Sequence, residues 1–106
     1  MIYIIAEAGV NHNGSLHKSF QLIREAKLAG ADCIKFQTFK SENLVSKDSP
    51  KAHYQMQTTN KKESQYEMLK KLEISYEDFR LIKNECDKNN IDFVSTPYSF
   101  EDVDFL

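Results

Sequence analysis

The chain has 106 residues, 41% of them hydrophobic and 28% charged, with a formal net charge of −2. That is the balance of one soluble globular unit: too apolar and aromatic for a disordered tail, and without the run of roughly 18–20 apolar residues that spans a bilayer. Fourteen basic against 16 acidic side chains give no net field to draw in nucleic acid.

The opening residues, Met1-Ile2-Tyr3-Ile4-Ile5-Ala6, carry no basic n-region and meet Glu7 at once, so they do not read as an export signal. Cys33 and Cys86 are far apart in sequence and suggest neither a disulfide framework nor a zinc ribbon. Reduced thiols in a cytoplasm are the expectation. Residues 2–6 form a continuously apolar, β-branched run, which predicts a strand of a parallel sheet covered on both faces. It passes through Glu7 into the turn formers Ala8-Gly9-Val10-Asn11-His12-Asn13-Gly14. Ser15 is then the predicted N-cap of a helix over about 16–29, with Leu16, Phe20 and Ile23 on its apolar stripe and Gly30 as its closing C′ residue. Lys27 falls on the same stripe and is expected to extend its ammonium past it to water.

A second strand is predicted over 32–38, completing a βαβ unit with a right-handed crossover. Residues 39–64 are polar and aperiodic. A connection of roughly 25 residues is unusual in a compact domain and is often functional, or else partly disordered. A short helix is predicted over 63–72, and a second after Ser75, with Asp78 in a capping-box-like position and Phe79, Ile82 and Cys86 on its buried side. Asn89-Asn90 ends it. The third strand is predicted over 91–96, stopped by Pro97, and Ser99 with Asp102 caps a last helix. The order β-α-β-long loop-α-α-β-α argues for an α/β fold with a parallel sheet.

Ligands of such folds gather at the carboxyl ends of the strands. Lys35, set between Ile34 and Phe36, is the informative residue: inside a covered sheet its ammonium has to meet an anion. Either it forms a salt bridge with Glu7 or Asp32, or its side chain reaches the surface, or it and Glu7 together grip an anionic substrate and supply acid–base chemistry. Thr96 reads by itself as a strand terminator. His12 in its Asn/Gly loop is weakly informative, His17 and His53 read as surface residues, and the two cysteines read as small buried hydrophobes.

The stretches Ile4-Ile5-Ala6-Glu7-Ala8-Gly9-Val10-Asn11-His12-Asn13-Gly14 and Ala29-Gly30-Ala31-Asp32-Cys33-Ile34-Lys35-Phe36-Gln37-Thr38-Phe39 closely resemble the sialic acid synthase family. So do Pro50-Lys51-Ala52-His53-Tyr54-Gln55, Glu63-Ser64-Gln65-Tyr66-Glu67-Met68 and Phe93-Val94-Ser95-Thr96-Pro97, in order and consistently spaced. The resemblance is to bacterial N-acetylneuraminate synthases and their legionaminate and pseudaminate relatives, enzymes of surface, spore coat or capsule polysaccharide synthesis. It implies a TIM barrel followed by a C-terminal antifreeze-like domain, a homodimer, and a divalent metal (Mn²⁺ or Mg²⁺). The implied reaction condenses phosphoenolpyruvate with an N-acetylated amino sugar, forming a nine-carbon 2-keto acid and phosphate.

On these motifs Glu7 is the implied active-site carboxylate. Lys35 and Thr96 are implied phosphoenolpyruvate ligands, and Gln37 and Asn60 implied amino-sugar contacts. A complete (β/α)₈ barrel takes about 250 residues, so residues 1–106 are expected to be the first three strands of that barrel, without its metal ligands. The expectation for this chain alone is catalytic inactivity and self-association or partial disorder. Two other readings stand beside it: a small doubly wound binding or signalling domain, and a barrel aldolase using Lys35 as a Schiff-base nucleophile.

Overall fold

The computed structural model describes residues 1–44 and 64–106. Asn60, His53 and most of the long connection lie outside the described residues. Three strands, β1 (Ile5–Gly9), β2 (Cys33–Thr38) and β3 (Asp92–Pro97), form one parallel sheet in the order β1-β2-β3. Helix α1 (Leu16–Leu28) joins the first two strands. A 3₁₀ turn at Ser41–Asn43 follows β2, and α2 (Gln65–Leu72), α3 (Tyr76–Lys88) and α4 (Phe100–Phe105) complete the element order.

All four described α-helices begin in the same way. Ser15, Ser64, Ser75 and Ser99 each have extended backbone and accept, through the side chain, the amide N–H of the residue three ahead. Each bond satisfies one of the donors that a helix start leaves free, worth about 1 kcal/mol. The cap at Ser64 starts α2 two residues later than the sequence pattern predicts.

The helices cover one face of the sheet. Ala8, Ile34 and Phe36 project from the strands into a core with Ile23 and Ala26 of α1 and Phe79, Ile82 and Cys86 of α3, closed by Ala31, Ile74 and Ile91. Phe36 is the centre of this layer, with the rings of Phe79 and Phe93 6.2 and 5.9 Å away. Truncating so deeply buried an aromatic side chain costs about 3–5 kcal/mol. An ion pair between Arg24 and Glu85, 3.4 Å, ties α1 to α3 across the surface.

Among the described residues no helix covers the opposite face of the sheet, although Cys33 on that face is buried, and this corrects the expectation of a sheet covered on both faces. The first strand runs over Ile5–Gly9 rather than 2–6, and Met1, Ile2, Tyr3, Ile4 and Ile5 are all at least half exposed. A run of apolar residues signals burial on both sides, but only the side facing α1 and α3 has a partner here. Lys35, for the same reason, is not buried: its side chain is 41% exposed, which agrees with the alternative that it reaches the surface. Lys27 does reach out past the stripe, as expected, and donates from Nζ to the carbonyl of Asn90 at 3.1 Å.

The β1–α1 turn carries a second surprise. His12 is fully buried, its ring stacked on Phe36 at 6.1 Å. Its Nδ1 accepts the Gly14 N–H at 2.8 Å, so the neutral ring carries its proton on Nε2, which has no partner among the described residues. Gly14 itself has φ +77°, and a Cβ there would lie 2.2 Å from the carbonyl oxygen of Lys71, so no other residue fits this close approach of the turn to α2.

Burial holds the His12 pKa below its ordinary value, because the charged ring would lose its hydration. Above about pH 6.5 the ring is neutral in both folded and unfolded chains and contributes no slope. Below that value the unfolded chain takes up a proton that the folded chain refuses. Stability is therefore expected to fall as pH drops from about 6.5, and urea titrations at stepped pH should show that slope markedly reduced in His12→Asn. An unchanged slope in the variant would place the acid sensitivity elsewhere.

Candidate active site

Parallel pairing fixes which side chains meet. Glu7 on β1 is the register partner of Lys35 on β2, and Lys35 is in turn the partner of Val94 on β3. Two residues further along, Gln37 pairs with Thr96. Since alternate residues share a face, Glu7, Lys35, Gln37, Val94 and Thr96 all stand on the face turned away from the helices. A slip of one residue would have sent Lys35 into the core in place of Phe36.

The geometry within this group is open. Glu7 Oε2 lies 4.0 Å from Lys35 Nζ, with the two side chains 56% and 41% exposed. At that distance and exposure the pair is a loose contact worth little to the fold. Of the two salt-bridge partners considered for Lys35, only Glu7 meets it; Asp32 accepts the backbone N–H of Ile4 instead. Gly9, with φ +53°, ends the strand beside them. A Cβ there would stand 3.4 Å from Glu7 Oε1 and 3.6 Å from Gln37 Nε2. The glycine thus brings those two side chains to the same spot on the sheet surface, and the register shift between Glu7 and Gly9 turns the chain away just past them.

A carboxylate, an ammonium, an amide and a hydroxyl on one surface at the carboxyl half of a parallel sheet can bind a small anion through Lys35. They can orient it by hydrogen bonds from Gln37 and Thr96, and move a proton or position water through Glu7. Among the described residues no cluster of three or more His, Cys, Asp or Glu side chains could hold a metal ion. A groove of about 440 Å³ lined by Phe79, Arg80, Phe93 and Phe105 lies on the helix side, away from this group.

Several polar residues near the strand ends serve the fold instead. Thr38 Oγ1 and Ser95 Oγ share a hydrogen bond of 2.6 Å, joining β2 to β3. Asp102, fully buried, accepts the Tyr76 hydroxyl at 2.5 Å and the Tyr98 N–H at 3.1 Å. Burial and that carboxylate push the Tyr76 pKa up. Lys40 lies over the Tyr76 ring, 4.4 Å from its centroid, and pairs with Glu101 at 2.6 Å. In the sequence Asp102 reads only as a cap partner; no local signal marks its burial. Cys33 and Cys86 are free and buried, as expected, and burial pushes the Cys86 thiol up to about 12. His17 is exposed.

The NeuB family model matches residues 22–106. The chain belongs to the NeuB family. It is 48% identical over 104 residues to the N,N'-diacetyllegionaminic acid synthase of Legionella pneumophila, covering 98% of this chain and 29% of that protein. It is 33% identical to the pseudaminic acid synthase of Campylobacter jejuni over 99% of the chain and 31% of the relative. Among solved structures, the N-acetylneuraminic acid synthetase of Leptospira borgpetersenii, crystallised with citrate, superposes with a TM-score of 0.78 at 31% identity over 99% of this chain and 32% of that one.

This NeuB-family chain thus spans about three-tenths of the length of the relatives it matches. Its fold is a three-strand portion of their TIM-type barrel, in which helices ring the outside and the opposite face of each strand lines the interior. The uncovered face bearing Glu7 and Lys35 corresponds to that interior.

If the pair is there for a ligand rather than for the fold, removing it should hardly matter to stability. Glu7→Gln and Lys35→Met are each expected to change the unfolding free energy by less than about 1 kcal/mol in urea titrations. A loss above about 2 kcal/mol in either variant would make the pair a structural salt bridge.

Proposed function

We propose that this chain supplies the phosphoenolpyruvate-gripping part of a nonulosonic acid synthase. It corresponds to the first three strands of the barrel domain, with the remaining strands and an antifreeze-like domain in the rest of such an enzyme. The reaction condenses phosphoenolpyruvate with an N-acetylated amino sugar, N-acetylmannosamine or a bacillosamine-derived relative, in surface glycan synthesis in the cytoplasm. The observation that carries the reading is the pairing of Glu7 with Lys35 on the uncovered face, with Gln37 and Thr96 one pair further along. The printed names of the relatives, synthases of legionaminic, pseudaminic and N-acetylneuraminic acids, support the reaction class.

In the proposed chemistry the methylene carbon of the enol forms a bond to the sugar's carbonyl carbon, whose oxygen takes a proton. Water adds at the carbon bearing the phosphate ester, and loss of phosphate leaves the 2-keto acid. Lys35 meets the substrate's carboxylate or phosphate as a point charge, and Thr96 adds a hydroxyl donor. Glu7 sits within reach of the same anion and takes the proton from the incoming water. Gln37 faces the sugar, with Asn60 of the long connection as its companion. The divalent metal and the dimer of a complete synthase belong to parts beyond these residues, and the chain by itself is proposed to be inactive.

A Schiff-base role for Lys35 is not favoured. Such a lysine is made nucleophilic by desolvation or by a cationic neighbour, whereas Lys35 is partly exposed and faces a carboxylate.

Titrating phosphoenolpyruvate into the ¹⁵N-labelled chain tests the reading directly. Saturable shifts are expected at Glu7, Lys35, Gln37 and Thr96, lost in Lys35→Met. Shifts confined to other surfaces, or undiminished in the variant, would overturn it. Steady phosphate release from phosphoenolpyruvate and N-acetylmannosamine by the 106-residue chain would overturn the proposed inactivity.

A further inference from the structure

Asn13 is the only asparagine of the sequence that is followed by glycine. Such a pair is chemically labile, because a glycine leaves its own amide nitrogen free of side-chain crowding and within reach of the asparagine side chain. The structure shows Asn13 exposed on the β1–α1 turn, in the left-handed region at φ +53°. Yet the nitrogen that has to attack is occupied. The Gly14 N–H is donated to Nδ1 of His12 at 2.8 Å, and the His12 ring is fully buried against Phe36. The neighbouring amides are held as well, Asn13 N–H by the carbonyl of Val10 and Ser15 N–H by the carbonyl of His12, each at 3.0 Å. Gly14 in turn passes so close to the Lys71 carbonyl of α2 that no side chain fits there.

We propose that Asn13–Gly14 is a modification site, a deamidation site that His12 and α2 keep latched. In the reaction the Gly14 nitrogen loses its proton and bonds to Asn13 Cγ, the Cγ–Nδ2 bond breaks, and ammonia leaves. Water then opens the five-membered imide at either carbonyl, giving aspartate or isoaspartate. The nitrogen cannot bond to Cγ while its N–H stays on His12, so ring closure has to strip a buried acceptor of its donor. The isoaspartate product carries an extra main-chain carbon and a new negative charge. Both fall in the turn that leads from the Glu7 strand to the Ser15 cap of α1. Asn90 is the built-in comparison: it is exposed and has the same φ of +53°, but β-branched Ile91 follows it and crowds the attacking nitrogen. None of this depends on which substrate the chain serves, so it stands apart from the function proposed above.

The test ages the purified 106-residue chain at neutral pH. Asn13 and Asn90 are followed by peptide mass mapping, with isoaspartate identified by enzymatic methyl transfer. The native chain is compared with the same chain unfolded in urea, with His12→Phe and with His12→Asn. His12→Phe keeps a ring against Phe36 but removes the acceptor, whereas the side-chain oxygen introduced by His12→Asn can stand in for Nδ1. Native Asn13 is expected to convert about tenfold more slowly than in urea, since the turn has to open locally first. His12→Phe is expected to recover most of the urea rate while the amides of Cys33–Thr38 stay protected from exchange, and His12→Asn to stay near the native rate. Asn90 is expected to stay intact throughout.

Native Asn13 converting as fast as in urea overturns the proposal. So does a His12→Phe chain that retains its protected β2 amides yet deamidates at the native rate. Asn90 converting as fast as Asn13 in urea overturns the role given to Gly14. Should His12→Phe unfold, amide exchange in the native chain decides. A Gly14 N–H protected by about the factor that slows Asn13 supports the latch, and a freely exchanging Gly14 beside an intact Asn13 overturns it.

Discussion

The structure depends on the register between β1 and β2. Setting Glu7 opposite Lys35 and Ala6 opposite Ile34 assigns every strand residue to one of two faces. On one, Ala8, Ile34 and Phe36 join the helices in the core. On the other, a carboxylate, an ammonium, an amide and a hydroxyl are left on view. The core and the candidate site are thereby separated by the thickness of a single sheet. The energetic contrast fits this division: Phe36 is completely buried, while Glu7 and Lys35 meet only loosely across 4.0 Å.

Glycine and serine make the arrangement possible at its edges. Gly9 and Gly14 let the chain leave β1 without covering Glu7 and pass close against α2. Four serine caps start the helices where the strands and turns deliver them. His12 sits under the first turn as a buried, neutral ring whose Nδ1 fixes Gly14. Among the described residues its Nε2 donor has no partner, and the ring stacks on Phe36.

Much of this was legible in the residues. Helical spacing identifies Ile23, Phe79, Ile82 and Cys86 as core, and the serine caps mark the helix starts. The polar interruptions at Glu7, Lys35 and Gln37 in otherwise apolar strands point to the face of the candidate site, and the register does bring all three to one face. Other features were not legible, for physical reasons. The apolar residues 2–5 imitate a buried strand, yet burial depends on a covering layer that one strand's sequence cannot reveal. The burial of His12 and Asp102 depends on contacts with Phe36 and Tyr76, both distant along the chain. Membership of the NeuB family accounts for the face without helices: barrel strands turn that face inward, and the three described strands do not enclose it.

The most direct measurement is the pattern of nuclear Overhauser contacts across the sheet and from the Lys35 side chain. The account predicts backbone contacts pairing Glu7 with Lys35 and Gln37 with Thr96, with Phe36 touching α3 and the Lys35 methylenes touching neither α1 nor α3. Contacts between the Lys35 side chain and those helices, or pairing displaced by one residue, would contradict it.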